Sequence, residues 1–183
     1  MSRKYKINDQ QKLYFLTFAV VRWIDVFTRR EYKDILIESL RFCQLHKGLE
    51  LYAFCIMPNH VHLIAGVKEG CNLSAILRDL KKFTANKVIR AISENLQESR
   101  RDWMLWLFQD EGRDNPNNTF NQFWQQENHP IELDTNFLLE QKLDYIHENP
   151  VRAGICYAPE DYIYSSAGQY AGTETLLPVI LLE

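Results

Sequence analysis

The sequence predicts an α+β fold built around one antiparallel sheet. Segments typical of strands and helices follow one another as strand, helix, strand, strand, helix, strand, helix. The first six make the β-α-β-β-α-β order of a ferredoxin-like sandwich, and the seventh is a C-terminal helix. The length of 183 residues suits one domain. We therefore expect a single domain over residues 1–183, with an insertion at 98–118 and a surface wrap at 155–183.

The first half of the chain supplies three strands and one helix. Aromatic and β-branched residues predict a buried strand over Leu13–Val21. Apolar residues near helical spacing then predict a helix over Arg29–His46. A second strand is expected at Leu49–Met57. A Pro-Asn turn follows it, so a third strand over His60–Val67 should pair with the second in antiparallel fashion.

The second half supplies the remaining elements. Asn72 can cap a helix. Seven apolar residues of that helix make one stripe: Leu73, Ile76, Leu77, Leu80, Phe83, Val88 and Ile92. The range 98–118 joins an apolar cluster to a turn-rich polar run, which favours an inserted hairpin or loop, and 120–126 favours a fourth strand. A last helix begins at Thr135 or the residue before it, and we expect Pro150 to end it.

Composition limits the possible partners and compartments. The net charge of −3 does not by itself point to nucleic acid, although basic residues concentrate between 78 and 101. The four cysteines form no CxxC pair. We see neither a secretory leader nor an apolar run long enough to span a bilayer. These features predict a cytoplasmic protein with reduced thiols and no membrane partner.

His60 and His62 form the first group with chemical potential. Two residues apart on a strand, their side chains point to the same face. Two neutral imidazoles side by side make half of a metal site. A pair of exposed or hydrogen-bonded histidines without a metal would show the same pattern.

Tyr145 and Asn149 form the second group. They are four residues apart, so on a helix they share a face. A residue before proline is pushed away from helical geometry, so the shared face requires the helix to survive to Asn149. A core tyrosine and an asparagine that ends a helix would fit the same residues.

The two groups make one chemical proposal together. A tyrosine hydroxyl is a weak nucleophile at neutral pH, but it can attack a phosphodiester whose charge a divalent cation neutralises. His60, His62 and Asn149 could supply three ligands to Mg²⁺ or Mn²⁺. Substrate oxygens would complete the coordination.

Three segments resemble the signature blocks of a known family. They are Met57–Ile64 (MPNHVHLI), Tyr145–Gly154 (YIHENPVRAG) and Tyr162–Ala167 (YIYSSA). In this order they are similar to the blocks of REP-associated tyrosine transposases, a branch of the single-tyrosine HUH transposases, where U is an apolar residue. The chain departs from the family in its acidic net charge and in the range 98–118.

The resemblance implies a fold, a reaction and a set of site residues. It implies a ferredoxin-like nuclease core, with Tyr145 as the nucleophile and His60, His62 and Asn149 around a metal. It implies cleavage and rejoining of hairpin-containing single-stranded DNA through a covalent 5′-phosphotyrosine, by a monomer or a homodimer. A bacterial, nucleoid-associated location follows from that substrate.

Further DNA contacts are expected from basic and aromatic side chains. Candidates for phosphate contacts are Arg78, Lys81, Lys82, Lys87 and Arg152. Tyr14, Trp23 and Trp124 could stack on unpaired bases or belong to the core. His129 has no assigned role.

Two other classes of function compete with this reading. A nucleotide hydrolase with three alternating histidines lacks its third histidine, because Ile64 stands there, and a His-x-His-x-Asp-His zinc hydrolase fails at the same segment. A DNA-binding protein of the same fold that has lost catalysis stays open.

Overall fold

A four-stranded antiparallel sheet lies at the centre of the computed structural model, which describes residues 7–113, 121–126 and 128–182. The elements in chain order are β1 (Tyr14–Ala19), α1 (Arg30–His46), β2 (Leu49–Ile56), β3 (His60–Val67), α2 (Leu73–Glu94), α3 (Arg101–Arg113), β4 (Ile131–Glu132), α4 (Asn136–Arg152) and α5 (Ala167–Tyr170). The sheet order is β2-β3-β1-β4. This arrangement confirms the predicted α+β class. None of the helices in the described ranges has the length and apolar character needed to cross a bilayer.

The register of β1 against β3 decides which side chains share a face of the sheet. Thr17 lies opposite His62 in this antiparallel pair. Because side chains alternate along a strand, Phe18 points to the other face, where a lysine of α2 lies over its ring. Phe15 is on the face of Thr17, and Tyr145 of α4 packs edge-on against it. Helices α2 and α4 therefore lie on opposite faces of the sheet.

The fourth strand predicted at 120–126 is wrong. The strand that pairs with β1 at this edge is β4, and within 121–126 an isolated bridge joins Trp124 to Val20. Trp124 instead fills the core from a loop, stacked on Phe27 at 5.7 Å and donating its indole N–H to the Thr84 hydroxyl. Buried loop aromatics give the same compositional signal as a strand, which explains the error. Residue 120 lies outside the described part of the chain.

Helix α3 occupies much of the range where composition suggested a hairpin or loop. Met104, Leu107 and Phe108 lie on its inward side and are buried. Leu107 and Phe108 follow Met104 by three and four residues, which is the spacing of one helix face. Trp103 and Trp106 point outward and stay about half exposed. The apolar run is thus an amphipathic helix. Residues 114–118 lie outside the described ranges, and the status of 98–118 as an insertion stays a prediction.

Helix α2 begins where its cap was predicted. The Asn72 side chain accepts the Ala75 backbone N–H at 2.8 Å. The apolar stripe is buried as predicted except at Phe83, which is 52% exposed, and Thr84 takes the buried position beside it. The Thr84 hydroxyl satisfies itself on the Leu80 carbonyl one turn earlier.

Helix α4 continues through Pro150, so the prediction that this proline ends the helix is wrong. A proline removes one i→i−4 hydrogen bond, a small loss in the last turn of a helix. The helix ends at Arg152. Gly154, two residues later, adopts the left-handed region with φ of 71°, and the Ile155 N–H donates to the Pro150 carbonyl. Asn149 is therefore helical and lies one turn beyond Tyr145.

The segment after α4 runs along the outer edge of β2. Three backbone hydrogen bonds join the two, from Ile56 to Tyr164, from Ser166 to Phe54 and from Ile180 to Leu51. An uncovered edge strand would expose unpaired N–H and C=O groups. Leu177 and Val179 are buried, so the segment also adds to the core. The assignment of the whole chain to one domain stays a prediction.

Lys81 of α2 is tied into the fold on the Phe18 side of the sheet. Its ammonium group donates to the Gln125 carbonyl at 2.8 Å and to the Asn128 side-chain oxygen at 2.5 Å. It also lies 5.5 Å from the centre of the Phe18 ring. Burial lowers the pKa of Lys81 to about 8. This lysine anchors the loop before β4 beneath the sheet.

The lowered pKa of Lys81 predicts how its contribution to stability changes with pH. Between about pH 8 and the ordinary lysine pKa of 10.5, the unfolded chain holds a proton that the folded chain has released, so raising the pH disfavours unfolding. We therefore expect the free energy of unfolding of the wild type, minus that of Lys81→Met, to increase as the pH rises from 7.5 to 9.5. Urea unfolding at both pH values measures this. Lys82→Met, at an exposed neighbouring site, is the control for the general effect of replacing a lysine of α2 by methionine. A constant difference for Lys81→Met would contradict the assignment.

Candidate active site

His60 and His62 lie side by side near the start of β3. Their ring centroids are 4.6 Å apart with an interplanar angle of 72°, so both rings occupy the same face of the sheet. His60 is half-buried, whereas His62 is 4% exposed. The short turn before β3 and the strand alternation together bring the rings into contact.

His62 is held by the strand opposite it. Its Nδ1 lies 2.9 Å from the Thr17 hydroxyl oxygen. In the tautomer that donates Nδ1–H to Thr17, Nε2 keeps its lone pair. That Nε2 is buried and has no hydrogen-bond partner within the described residues. Burial above all, helped by His60 and Lys142, lowers the pKa of His62 to about 3, so the ring is neutral at pH 7.

His60 is oriented by the residue before it. Its Nδ1 lies 2.6 Å from the Asn59 side-chain oxygen, and the Asn59 amide nitrogen donates to the Trp23 carbonyl at 3.3 Å. The second bond settles which end of the amide faces the ring, so His60 Nδ1–H is the donor and Nε2 keeps its lone pair. Burial lowers the pKa of His60 to about 4. Both histidines thus present neutral imidazoles.

Tyr145 of α4 reaches the histidine pair from above the sheet. Its ring centroid lies 5.2 Å from that of His62 and 5.9 Å from that of Phe15, in edge-on contacts. Tyr145 is 38% exposed, so part of its side chain is accessible to a ligand. Lys142, one turn earlier, places its ammonium group 5.8 Å from the centre of the Tyr145 ring. Sequence reasoning missed Lys142, although its spacing of three from Tyr145 was a usable signal.

Asn149 shares α4 with Tyr145, and its side chain is half-buried. Within the ranges that the structure describes, no three His, Cys, Asp or Glu side chains come together as a metal site. The donor chemistry nevertheless fits half of such a site, because His62 aims an unpartnered buried nitrogen and His60 stands beside it. Amide or substrate oxygens would have to supply the other ligands.

His147 serves a different purpose from its neighbours on α4. Its Nε2 lies 2.9 Å from the Ser166 hydroxyl, which also accepts the Phe54 backbone N–H of β2. Burial lowers the pKa of His147 to about 4, with Asp144 acting in the opposite direction. The side chain therefore ties α4 to the edge of the sheet. Sequence reasoning gave it no role, and only the tertiary contact identifies one.

Four of the five basic candidates lie on α2, on the face of the sheet opposite the histidine pair, and Arg152 lies in the last turn of α4. Lys81 lies across the sheet from His62 and is bonded within the protein. Arg78 is exposed and paired with Asp79 at 2.8 Å. Lys82, Lys87 and Arg152 are exposed. Their contacts with DNA stay predictions.

The aromatic candidates separate cleanly by burial. Tyr14 and Trp124 are 2% and 6% exposed and belong to the core. Trp23 is 53% exposed, and its ring lies edge-on to His60 at 5.6 Å between centroids. Of the three, Trp23 is the one whose face can meet a ligand.

Comparison with known proteins gives a consistent family. The chain resembles the Haemophilus influenzae protein named "Putative REP-associated tyrosine transposase", with 32% identity over 125 residues. The match covers 66% of this chain, and it spans 60% of the length of that relative. The solved structure of a REP-associated tyrosine transposase bound to a REP hairpin matches all of this chain and 94% of its own, with a TM-score of 0.66. At 18% identity, that likeness shows the fold.

The family assignment rests on the sequence match. Residues 11–111, more than half of the chain, match the family described as "Transposase IS200 like". They include β1, β3 and the histidine pair. This chain belongs to the IS200-like transposase family.

Proposed function

We propose that this protein cuts and rejoins single-stranded DNA, with Tyr145 as the nucleophile. The observation that carries the proposal is the contact between Tyr145 and His62, whose ring centroids are 5.2 Å apart, beside the neighbouring His60 ring. A half-exposed tyrosine against two neutral imidazoles suits phosphoryl chemistry. It suits a structural core poorly, because Tyr145 stays 38% exposed.

His60, His62 and Asn149 would hold a divalent cation, Mg²⁺ or Mn²⁺, which would neutralise phosphate charge when bound. The protein prepares its part of the site in advance. Thr17 and Asn59 orient the two imidazoles, and burial keeps them neutral and ready to donate lone pairs. Such preorganisation removes the need to expel protons before a metal binds.

The proposed reaction is a transesterification. The Tyr145 oxygen forms a bond to phosphorus while the bond from phosphorus to the 3′ oxygen breaks. The phosphate stays on the 5′ side as a phosphotyrosine. The tyrosine proton passes to water, and the leaving 3′ oxygen takes a proton from water to become a hydroxyl. The ammonium group of Lys142 lies beside the attacking residue, where it would attract a phosphate oxygen. One ester replaces another, so the step reverses or joins a new strand without an external energy source.

Hairpin-containing single-stranded DNA is the proposed substrate. The support is the fold shared with a REP-associated tyrosine transposase whose structure holds a REP hairpin. A monomer or homodimer acting at the bacterial nucleoid fits this substrate. A DNA-binding protein without catalysis is the competing function, and the first experiment below separates the two.

Tyr145→Phe should abolish covalent attachment to DNA while leaving the fold intact. The phenylalanine ring keeps the edge-on contacts with His62 and Phe15 but lacks the attacking oxygen. A labelled hairpin with a single-stranded extension is incubated with Mn²⁺, and the denaturing-gel shift of a protein–DNA species is measured.

Asp144→Asn, at the exposed neighbouring position, is the matched control and should still form the adduct. Persistent cleavage by Tyr145→Phe would remove this residue as the nucleophile. If the wild type binds a pool of hairpins and forms no adduct with any, the protein binds DNA without catalysis.

Thr17→Val and Asn59→Ala should each weaken Mn²⁺ binding by about 10- to 100-fold, because they release the imidazole tautomers that present Nε2. Calorimetric titration of Mn²⁺ into the protein without DNA measures this independently of activity. Thr17→Ser, which keeps the hydroxyl, should retain wild-type affinity. Equal affinity in the wild type, Thr17→Val and His62→Ala would show that Mn²⁺ binds elsewhere.

A further inference from the structure

A cleft opens next to the histidine pair, on the side of Trp23 that faces away from His60. Its volume is about 510 Å³. Six of its lining residues carry the argument: Arg22, Trp23, Arg100, Trp103, Trp106 and Leu107. It lies between the turn after β1 and helix α3, and the chemistry proposed for Tyr145 does not use it.

Three half-exposed tryptophans face this cleft. Trp23, Trp103 and Trp106 are 53%, 49% and 52% exposed. Trp103 and Trp106 are three residues apart on α3 and share its outward side, while Leu107 is buried. Exposing large aromatic surface to water is unfavourable. A contiguous exposed apolar patch is typical of a binding site, whereas single scattered apolar residues are not.

The turn that carries Trp23 is strained. Arg22 and Trp23 both adopt left-handed backbone geometry, with φ of 51° and 55°. Side chains other than glycine rarely adopt this geometry, and strain of this kind concentrates at functional sites. Ion pairs from Arg22 to Asp110 and Glu111 of α3 hold the turn on one side. The bond from Asn59 to the Trp23 carbonyl holds it on the other.

The cleft is continuous with the proposed reaction centre. The Trp23 ring lies 5.6 Å from that of His60, in edge-on contact, so one residue borders both places. A strand whose phosphate sits at the histidine pair would bring its neighbouring base to Trp23. The tryptophans of α3 would then meet the bases that follow.

The charges in the cleft favour recognition through ring faces. Arg22 is paired with two carboxylates, and Arg100 is paired with the buried Glu98 and donates to the Asp25 carbonyl. These guanidinium groups are already satisfied, so they add little attraction for phosphate. Stacking on tryptophan requires no net positive charge, because every base has a π face.

We propose that this cleft binds unpaired bases of the DNA strand next to the scissile phosphate, with Trp23, Trp103 and Trp106 as stacking surfaces. The proposal rests on the proposed function, since it takes the position of the strand from the histidine pair. Because stacking rather than phosphate neutralisation supplies the contact, the part of the affinity due to the cleft depends weakly on salt.

Binding is measured with protein carrying Tyr145→Phe and without metal, so that no cleavage occurs. Two labelled hairpins share one stem, and only one has a single-stranded extension. Fluorescence anisotropy should give tighter binding for the extended hairpin. The extended hairpin should also quench the intrinsic fluorescence, because three of the four tryptophans line the cleft.

A matched pair of double variants tests the stacking itself. Trp103→Leu with Trp106→Leu should weaken binding of the extended hairpin by about tenfold or more, whereas Trp103→Phe with Trp106→Phe should stay within about threefold. The hairpin without the extension (the blunt hairpin) should bind both double variants with equal affinity. Phe42→Leu, at a half-exposed aromatic of α1, should have no effect. Urea unfolding checks that the two double variants have the same free energy of unfolding.

Three results would overturn the inference. The two double variants could bind the extended hairpin equally, or the blunt hairpin could quench as strongly as the extended one. The leucine variant could also turn a dimer into a monomer in sedimentation without changing DNA affinity, which would make the cleft a contact between copies of this chain. The adduct assay with Tyr145 intact reads the reaction separately. The leucine variant could bind the extended hairpin more weakly while the wild type forms no adduct. That result would support base binding in the cleft and contradict strand cleavage by Tyr145.

Discussion

The antiparallel pairing of β1 with β3 determines where the candidate active site lies. It sets Thr17 opposite His62 and Ala19 opposite His60. A slip of one residue would turn both histidines to the opposite face and separate His62 from its hydroxyl partner. The same register turns Phe15 towards α4 and Phe18 towards α2. One face of the sheet is thereby reserved for Tyr145 and the histidine pair, and the other carries the main helical layer.

The three segments that resemble the family's signature blocks divide into residues proposed for chemistry and residues that anchor the fold. His60, His62 and Tyr145 meet on one face. His147, from the same block as Tyr145, bonds to Ser166 of the third block, which in turn caps the edge strand β2. These two hydrogen bonds tie α4, the helix that carries Tyr145, to β2. The third segment therefore supports the helix that carries Tyr145.

Sequence periodicity predicted the bounds of an element correctly where the buried residues follow the period of that element. Strand β3 has the predicted bounds, and α2 begins at its predicted cap, Asn72. It failed at Trp124, which is buried from a loop, and at Pro150, which sits in a last helical turn that can lose one hydrogen bond. For the candidate site, the shared face of the two histidines followed from alternation. The contributions of Thr17, Asn59 and Lys142 did not, because strand register and the packing of α4 are long-range properties that local sequence does not encode.

Under the proposed function, the acidic net charge favours a particular way of holding DNA. With a net charge of −3, the chain has little general attraction for a phosphate backbone. Its basic residues are also partly committed, since Lys81 anchors a loop and Arg22 pairs with α3. Ring stacking beside a small, locally neutralised phosphate site avoids this difficulty, because it draws on exposed tryptophan faces rather than on charge. Such a protein would discriminate strongly between paired and unpaired bases, since only unpaired bases can leave their own stack to enter the cleft.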